Sequence, residues 1–250
     1  MTTIVFLHIP KTAGQTVHNA LVPVVGGQAY VSPIRVHSQA PNGPQMPDGY
    51  RLYSGHLDWT ELEALPDDRF VFTVLRDPRE RIASFYMYII KQAKALSADQ
   101  LALPNNVGMR RALNGSADEY FMKGNPSWQR FIHDHYNNFY CTYFATRLIR
   151  GSSKIEGLSQ DDLLARAQAG LTQMDGVYST TDLGQLEIDV EIRFGKKINV
   201  IQTYHNAGSA PRGEQRWPKL LARVEKDETR DQLESFVEND DILMRKIGLI

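Results

Sequence analysis

Ile4-Val5-Phe6-Leu7-His8-Ile9-Pro10-Lys11-Thr12-Ala13-Gly14-Gln15-Thr16 decides the fold. An apolar run of β-strand character ends abruptly in a turn that carries a lysine, a glycine and threonine hydroxyls. A strand that feeds such a loop into a helix N-terminus aims backbone N–H groups and the positive end of the helix dipole at one place. Lys11 adds a full charge there. The stretch therefore predicts a phosphate cradle. Its residue order differs from the loop of nucleoside triphosphatases, in which Lys follows the last Gly and directly precedes Ser or Thr. Here Lys11 follows Pro10 and precedes Gly14, which points away from ordinary ATP chemistry.

Working outward, Phe70-Val71-Phe72-Thr73-Val74-Leu75 reads as a second buried strand and runs through Arg76 into a helix. Asp77 suits the N-cap and Pro78 the first helical position, where a missing N–H costs nothing. Apolar residues at 82, 85, 86, 89, 90 and 93 keep helical spacing to about Lys94. Arg76 falls at the carboxyl end of its strand, where open α/β sheets bind ligands, and Ser84 shares a helix face with Asp77 and Arg81. A guanidinium with a hydroxyl suits a second phosphate. Between the two stretches, Leu52-Tyr53-Ser54-Gly55 predicts a further parallel strand, which sets His56 on the same rim as Lys11 and Arg76. Histidine is a natural base there because its ordinary pKa lies near neutrality.

The motifs "HIPKTAGQT" and "LRDPRERIASFY" together resemble the two donor-binding motifs of the sulfotransferase superfamily, in the branch of the heparan sulfate 2-O-sulfotransferases and bacterial carbohydrate-type relatives. "NNFYCTYFATRLIRG" at 137–151 and "DGVYSTTDLGQLEIDVEIRFG" at 175–195 resemble later segments of that branch. The resemblance implies an α/β fold with a P-loop-NTPase-like parallel sheet flanked by helices. It implies 3′-phosphoadenosine 5′-phosphosulfate (PAPS) as donor. Lys11, Thr12, Ala13, Gly14, Gln15 and Thr16 match the residues that hold the 5′-phosphosulfate, and Arg76 and Ser84 those that hold the 3′-phosphate. A Gly-His at the position of Gly55-His56 carries the catalytic base, so His56 and Lys11 are the candidate catalytic residues, with His8 the second choice for the base. The common form has Gly-Gly or Gly-Ser followed by Thr-Ser after the Lys-Thr pair; Ala13 and Gln15 depart from it. Ala13 is harmless unless its position needs a positive φ.

The activity so implied is in-line transfer of a sulfuryl group to a hydroxyl of a carbohydrate or other small-molecule or lipid acceptor. Two rivals predict different behaviour. A nucleotide kinase or triphosphatase with a degenerate loop would require magnesium and bind ATP. A noncatalytic phosphonucleotide-binding protein would be indifferent to His56. The transfer chemistry needs no metal, and the alternating His133 and His135 lack further ligands, so both are assigned to the surface. Arg212 and Arg216, in a late loop, could close over the nucleotide, but two basic residues near a turn are more often solvated and neither is counted in the site.

With 250 residues, 42% of them hydrophobic, the chain is long enough for a sizeable core and is read as one domain, 1–250. Its net charge of −1 excludes a global basic field for nucleic acid. The single cysteine, Cys141, forbids an intrachain disulfide and is read as a packing residue, and no stretch approaches a membrane span. These features, with a first strand almost at residue 1, lead to the expectation of a cytoplasmic enzyme. The Pro- and Gly-rich segment 31–50 is expected to be a loop crossing the sheet edge, and segment 96–128, with Ser116 and Glu119 capping a short helix, to join it in shaping the acceptor pocket. Later, Ser159 caps a packing helix, 176–180 is a strand, and Ile198 to Tyr204 is expected to return to the sheet. In the tail, Asp240 falls within an apolar stripe, so either the helix breaks there or Asp240 is paired inside.

Overall fold

Alternation along the strands is what builds the layers. In the computed structural model, which describes residues 2–206 and 215–250, the central strand β1 (Thr3–Leu7) points Val5 and Leu7 to one face and Ile4 and Phe6 to the other. Both faces are apolar because both are covered, as parallel sheets require. β1 pairs with β2 (Leu52–Gly55) in the register Ile4 to Leu52 and with β3 (Arg69–Leu75) in the register Thr3 to Arg69. β3 pairs with β4 (Gly176–Ser179), Phe72 opposite Gly176. All these pairings are parallel, and among the described residues the strand order is β2-β1-β3-β4. The chain steps one way from β1 to β2 and the other way to β3 and β4. That reversal makes a switch point between β1 and β3, with the crevice at their carboxyl ends.

The helices are α1 (Gly14–Leu21), α2 (Pro78–Lys94), α3 (Ala98–Ala102), α4 (Val107–Asn114), α5 (Ala117–Met122), α6 (Pro126–Tyr136), α7 (Phe139–Thr146), α8 (Gln160–Leu171), α9 (Gly184–Phe194), α10 (Val200–Asn206), α11 (Trp217–Leu221), α12 (Asp227–Ser235) and α13 (Glu238–Lys246). Residues from α7, α8 and α13 cover one face of the sheet with Val5, Leu7, Tyr53, Val71 and Leu75. Residues from α1 and α9 cover the other face with Ile4, Phe6, Phe70, Phe72 and Val74. A further cluster is built on α2, whose Ile82, Tyr86 and Ile90 pack with Tyr120, Trp128, Tyr136 and Trp217. This is a single α/β domain of the P-loop-like kind. None of its helices among the described residues is long and apolar enough to cross a membrane.

Local chemistry sets the helix starts as expected. The Asp77 carboxylate accepts from Glu80 N at 2.9 Å with Pro78 in the first turn, and Ser116 with Glu119 forms the capping box of α5. Ser159 accepts from Asp162 N to start α8. Segment 31–50 is more than a loop: Val31 and Val36 make parallel bridges to Leu52 and His56, so part of it runs as a strap along the β2 edge. The expected return of Ile198 to Tyr204 to the sheet is overturned. That run enters α10, where Glu187 accepts from Ile201 N at 2.9 Å and supplies the first turn with a partner. A short β-branched run cannot be told from a buried helix start by periodicity.

In the tail the chain breaks before Asp240, at Phe236–Val237. Asp240 is nevertheless held inside, its carboxylate accepting from Tyr140 N at 3.1 Å and Cys141 N at 2.9 Å at the start of α7. The assignment of His133 and His135 to the surface is also corrected. His135 lies stacked between Phe85 and Phe131, at centroid distances of 5.7 and 4.3 Å, and burial lowers its pKa to about 4. His133 is half-buried against Phe236 and bonded by Asn137. Aromatic rings pack on both imidazoles, contacts that the local alternation of polar residues does not reveal.

Candidate active site

The cradle begins where β1 ends. Lys11 and Ala13 both lie at positive φ, 75° and 65°. Ala13 therefore occupies the left-handed region that normally favours glycine, at a cost of order 1–2 kcal/mol. Backbone strain of this kind concentrates where a loop must present its amides to a ligand. α1 then starts at Gly14 with no side-chain cap. Among the described residues, the backbone N–H groups of Lys11 to Gln15 donate to no protein acceptor, whereas Thr16 N is bonded to Ala13 O. Gly14 is needed for a separate reason, since a Cβ there would lie 1.6 Å from Nε2 of His8. The hydroxyl of Thr12 donates to Ile9 O at 2.8 Å and the amide of Gln15 to Asn19, so these two offer only backbone N–H groups. The hydroxyl of Thr16 has no partner among the described residues.

Lys11 Nζ sits 4.1 Å above the ring of Tyr88 on α2. Burial lowers its pKa to about 8, with help from the charges of Arg216, Arg76 and Lys91. Cations are thus gathered at the β1–β3 crevice in a chain whose net charge is −1. The hydroxyl of Tyr140 on α7 donates to Arg76 O at 2.7 Å and accepts from Arg76 N at 3.2 Å, pinning that residue's backbone. The Arg76 guanidinium bonds Glu80 at 2.9 Å. The other Glu80 oxygen accepts from Arg216 N at 2.7 Å and Trp217 N at 2.8 Å. Glu80 thereby joins the first turn of α2 to the start of α11. Ser84, one turn further along α2, is 7% exposed and its hydroxyl has no partner among the described residues. Arg212 lies outside the described residues.

His56 follows β2 on the same rim. Its Nδ1 is 2.6 Å from His8 O, and a carbonyl can only accept, so Nδ1 carries the proton and Nε2 keeps its lone pair. The two rings stand 4.3 Å apart, His8 stacked in turn on Phe6. Burial holds the pKa of His56 below its ordinary value against the support of the His8 carbonyl, with Arg35, His37 and Lys11 adding to the lowering. His8 is lowered further, by burial first and then by the charge of His56. Both rings are therefore held neutral, and in His56 the bond to His8 O leaves Nε2 available as an acceptor. The Gly-His pair also has a steric reason: a Cβ at Gly55 would meet Arg35 O at 2.2 Å, and His56 N donates to that carbonyl at 2.8 Å while His56 O accepts from His37 N at 2.8 Å.

The structure thus brings Lys11 to Thr16, Arg76 and Ser84 to the ends of β1 and β3 and sets His56 beside them on β2. Sequence reading missed Tyr88, Tyr140 and Arg35, and gave Arg216 no part in the site. Only Arg35 left a signal, the alternation Arg35-Val36-His37 in a polar segment; the others become visible through contacts 64 to 137 residues apart in the chain, or across helices.

A parallel sheet with a strand–loop–helix cradle after its central strand, facing a second cationic motif across the switch point, defines a P-loop-like group transferase that binds a phosphorylated nucleotide. The chain belongs to the sulfotransferase family, whose model matches residues 2–144, from β1 into α7, and it is an enzyme of that family. The family uses PAPS as the sulfate donor and includes members like the heparan sulfate 2-O-sulfotransferases. No curated protein matches the chain.

Proposed function

We propose that this sulfotransferase moves the sulfuryl group of PAPS to a hydroxyl of a glycan or another small-molecule or lipid acceptor, with His56 as the base. The observation that carries the assignment is the bond from His56 Nδ1 to His8 O, which leaves Nε2 free on the rim beside the Lys11 loop. The residues present fit the donor. The unbonded N–H groups of Lys11, Thr12, Ala13, Gly14 and Gln15, the Thr16 hydroxyl and the Lys11 ammonium suit the 5′-phosphosulfate, and Arg76 with Ser84 suits the 3′-phosphate.

The donor supplies an activated sulfur whose bond to the phosphate oxygen breaks as the acceptor oxygen bonds to sulfur, releasing adenosine 3′,5′-bisphosphate. His56 Nε2 takes the acceptor's proton. His8 O holds the ring in the tautomer that can do so. Lys11 and the loop amides stabilise the charge that grows on the departing phosphate, a preorganised electrostatic contribution. We place the enzyme in the cytoplasm; a chain with one buried cysteine needs no disulfide and suits a reducing compartment.

Calorimetric titration with adenosine 3′,5′-bisphosphate, set against ATP with magnesium, tests the donor site in the wild type and in Arg76→Ala. Binding of the bisphosphate, weakened at least tenfold in the variant as expected for loss of a charge-assisted contact, supports the reading. Preference for ATP with magnesium overturns it.

A further inference from the structure

The ammonium of Lys11 stands among cations. Among the described residues no hydrogen bond or ion pair holds it, and the charges that act on it are those of Arg216 ahead of α11, Arg76 after β3 and Lys91 on α2. His8 and His56, the titratable rings that feel its charge in turn, are held neutral by burial. Against these repulsions stands the ring of Tyr88, whose centroid lies 4.1 Å from Lys11 Nζ. The face of an aromatic ring is the negative part of its quadrupole, and it attracts a cation most strongly where water is partly excluded.

The sequence of α2 sets this contact up. Tyr88 follows Ser84 by four residues, so the two share a helix face. The core stripe of Ile82, Tyr86, Ile89, Ile90 and Ala93 leaves Tyr88 43% exposed, so packing in the core does not account for a ring at this position. A carboxylate in its place would also favour the charged amine, but it would compete with the donor for Lys11, as Glu80 competes for Arg76, and would repel an anionic ligand. An aromatic face attracts the ammonium without a net charge and does neither.

We propose that Tyr88 is the positioning residue for Lys11, its ring face keeping the ammonium charged and in place beside the loop. The inference rests on the donor-binding role of Lys11. Burial and the three neighbouring cations bring the pKa of Lys11 to about 8, so a contact that favours the charged form decides how much of the enzyme can bind donor around that pH.

The test first reads the titration of Lys11 in the ligand-free protein, by competitive acetylation across pH with the Lys11 peptide followed by mass spectrometry. Tyr88→Phe keeps the ring and is expected to hold the wild-type midpoint. Tyr88→Leu is expected to lower it by about 0.5–1.5 in pH, the size of a partly desolvated cation–π contact. Ring-fluorinated phenylalanines at position 88 keep the shape while draining the ring face, and should lower the midpoint in step with the number of fluorines. Calorimetry with adenosine 3′,5′-bisphosphate then reads the consequence. Tyr88→Leu should bind as the wild type does near pH 6, where Lys11 is charged in both, and roughly 2- to 15-fold more weakly near pH 8. The alkaline limb of kcat/KM for PAPS should move by the same interval and return in Tyr88→Phe, which has no phenol to titrate. A loss of affinity equal at both pH values would make Tyr88 a packing residue, and a Lys11 midpoint unmoved in Tyr88→Leu and along the fluorine series would remove the ring as its partner; either result overturns the proposal. If the wild type does not bind the bisphosphate, the donor role of Lys11 fails, and the acetylation midpoints still decide whether Tyr88 holds its charge.

Discussion

At the scale of the residue, the proposed mechanism depends on two groups whose protonation states are opposite and whose pKa values are both lowered. His56 must be neutral to accept a proton, and burial favours the neutral ring. Lys11 must be charged to hold the phosphosulfate, and burial with the neighbouring cations brings its pKa to about 8. The sign follows for each. As pH falls, activity is lost only when His56 protonates, at a pH below the ordinary histidine value of 6.5. As pH rises through about 8, the free enzyme loses the Lys11 charge and binds donor less well. The profile of kcat/KM for PAPS is therefore expected to be a bell with its falling alkaline limb near 8. A bound phosphosulfate stabilises the ammonium, so the alkaline limb of kcat should lie higher. His56→Gln should lower kcat by roughly 10²–10⁴ and remove the acid limb while bisphosphate affinity is unchanged. Steady-state kinetics across pH checks both; an acid limb that persists in His56→Gln would assign the proton to another group.

At the scale of the element, the strand–loop–helix units were legible because each is encoded locally. An apolar run, a cap and a helical spacing suffice for β1 with α1 and for β3 with α2, and Asp77, Ser116 and Ser159 start helices where their side chains predict. What was not legible depends on distant partners. Glu187 supplies an acceptor to the first turn of α10, and aromatic residues of α2 and α6 stack on either side of His135. Asp240 shows both sides of this. The sequence marks it as anomalous in an apolar stripe, yet only the fold shows that it caps α7 from 99 and 100 residues away. Its carboxyl is fully buried, and burial raises its pKa to about 6 against the pull of the two N–H groups and of Arg81. Arg81 itself is 1% exposed, packed over Phe139 with two guanidinium nitrogens unbonded. Asp240→Ala leaves those N–H groups and that cation uncompensated together, so a loss of about 3–5 kcal/mol is expected in urea unfolding. Because the folded pKa lies above the unfolded value of 3.8, ionising Asp240 costs stability as pH rises from about 4 through 6. The stability gap between wild type and Asp240→Ala should accordingly narrow over that interval; a gap that widens instead would show the carboxylate to be favoured by the fold.

At the scale of the whole molecule, a chain of net charge −1 concentrates Lys11, Arg76, Lys91 and Arg216 at one crevice, and Glu80 is a carboxylate that engages two of them, Arg76 and Arg216. Glu80 has two opposing effects on an anionic ligand. Its charge pairs with Arg76 and so competes with the ligand for that guanidinium, while its other oxygen holds Arg216 N and Trp217 N and fixes α11 against α2. Two substitutions separate the effects. In Glu80→Gln the amide oxygen still accepts from Arg216 and Trp217, but the charge is gone and Arg76 is released, so bisphosphate should bind several-fold more tightly. In Glu80→Ala the charge is equally gone, but two backbone N–H groups lose their acceptor at a cost of roughly 1–3 kcal/mol each if they stay buried, so the start of α11 should detach and carry Arg216 away from Lys11. Bisphosphate affinity is then expected to fall at least tenfold below that of Glu80→Gln, with faster amide hydrogen exchange confined to residues 215–221. If the two variants bind alike and exchange alike, Glu80 acts through its charge alone, and the placement of Arg216 beside Lys11 must be supplied by the packing of Trp217 and Leu220 against α2.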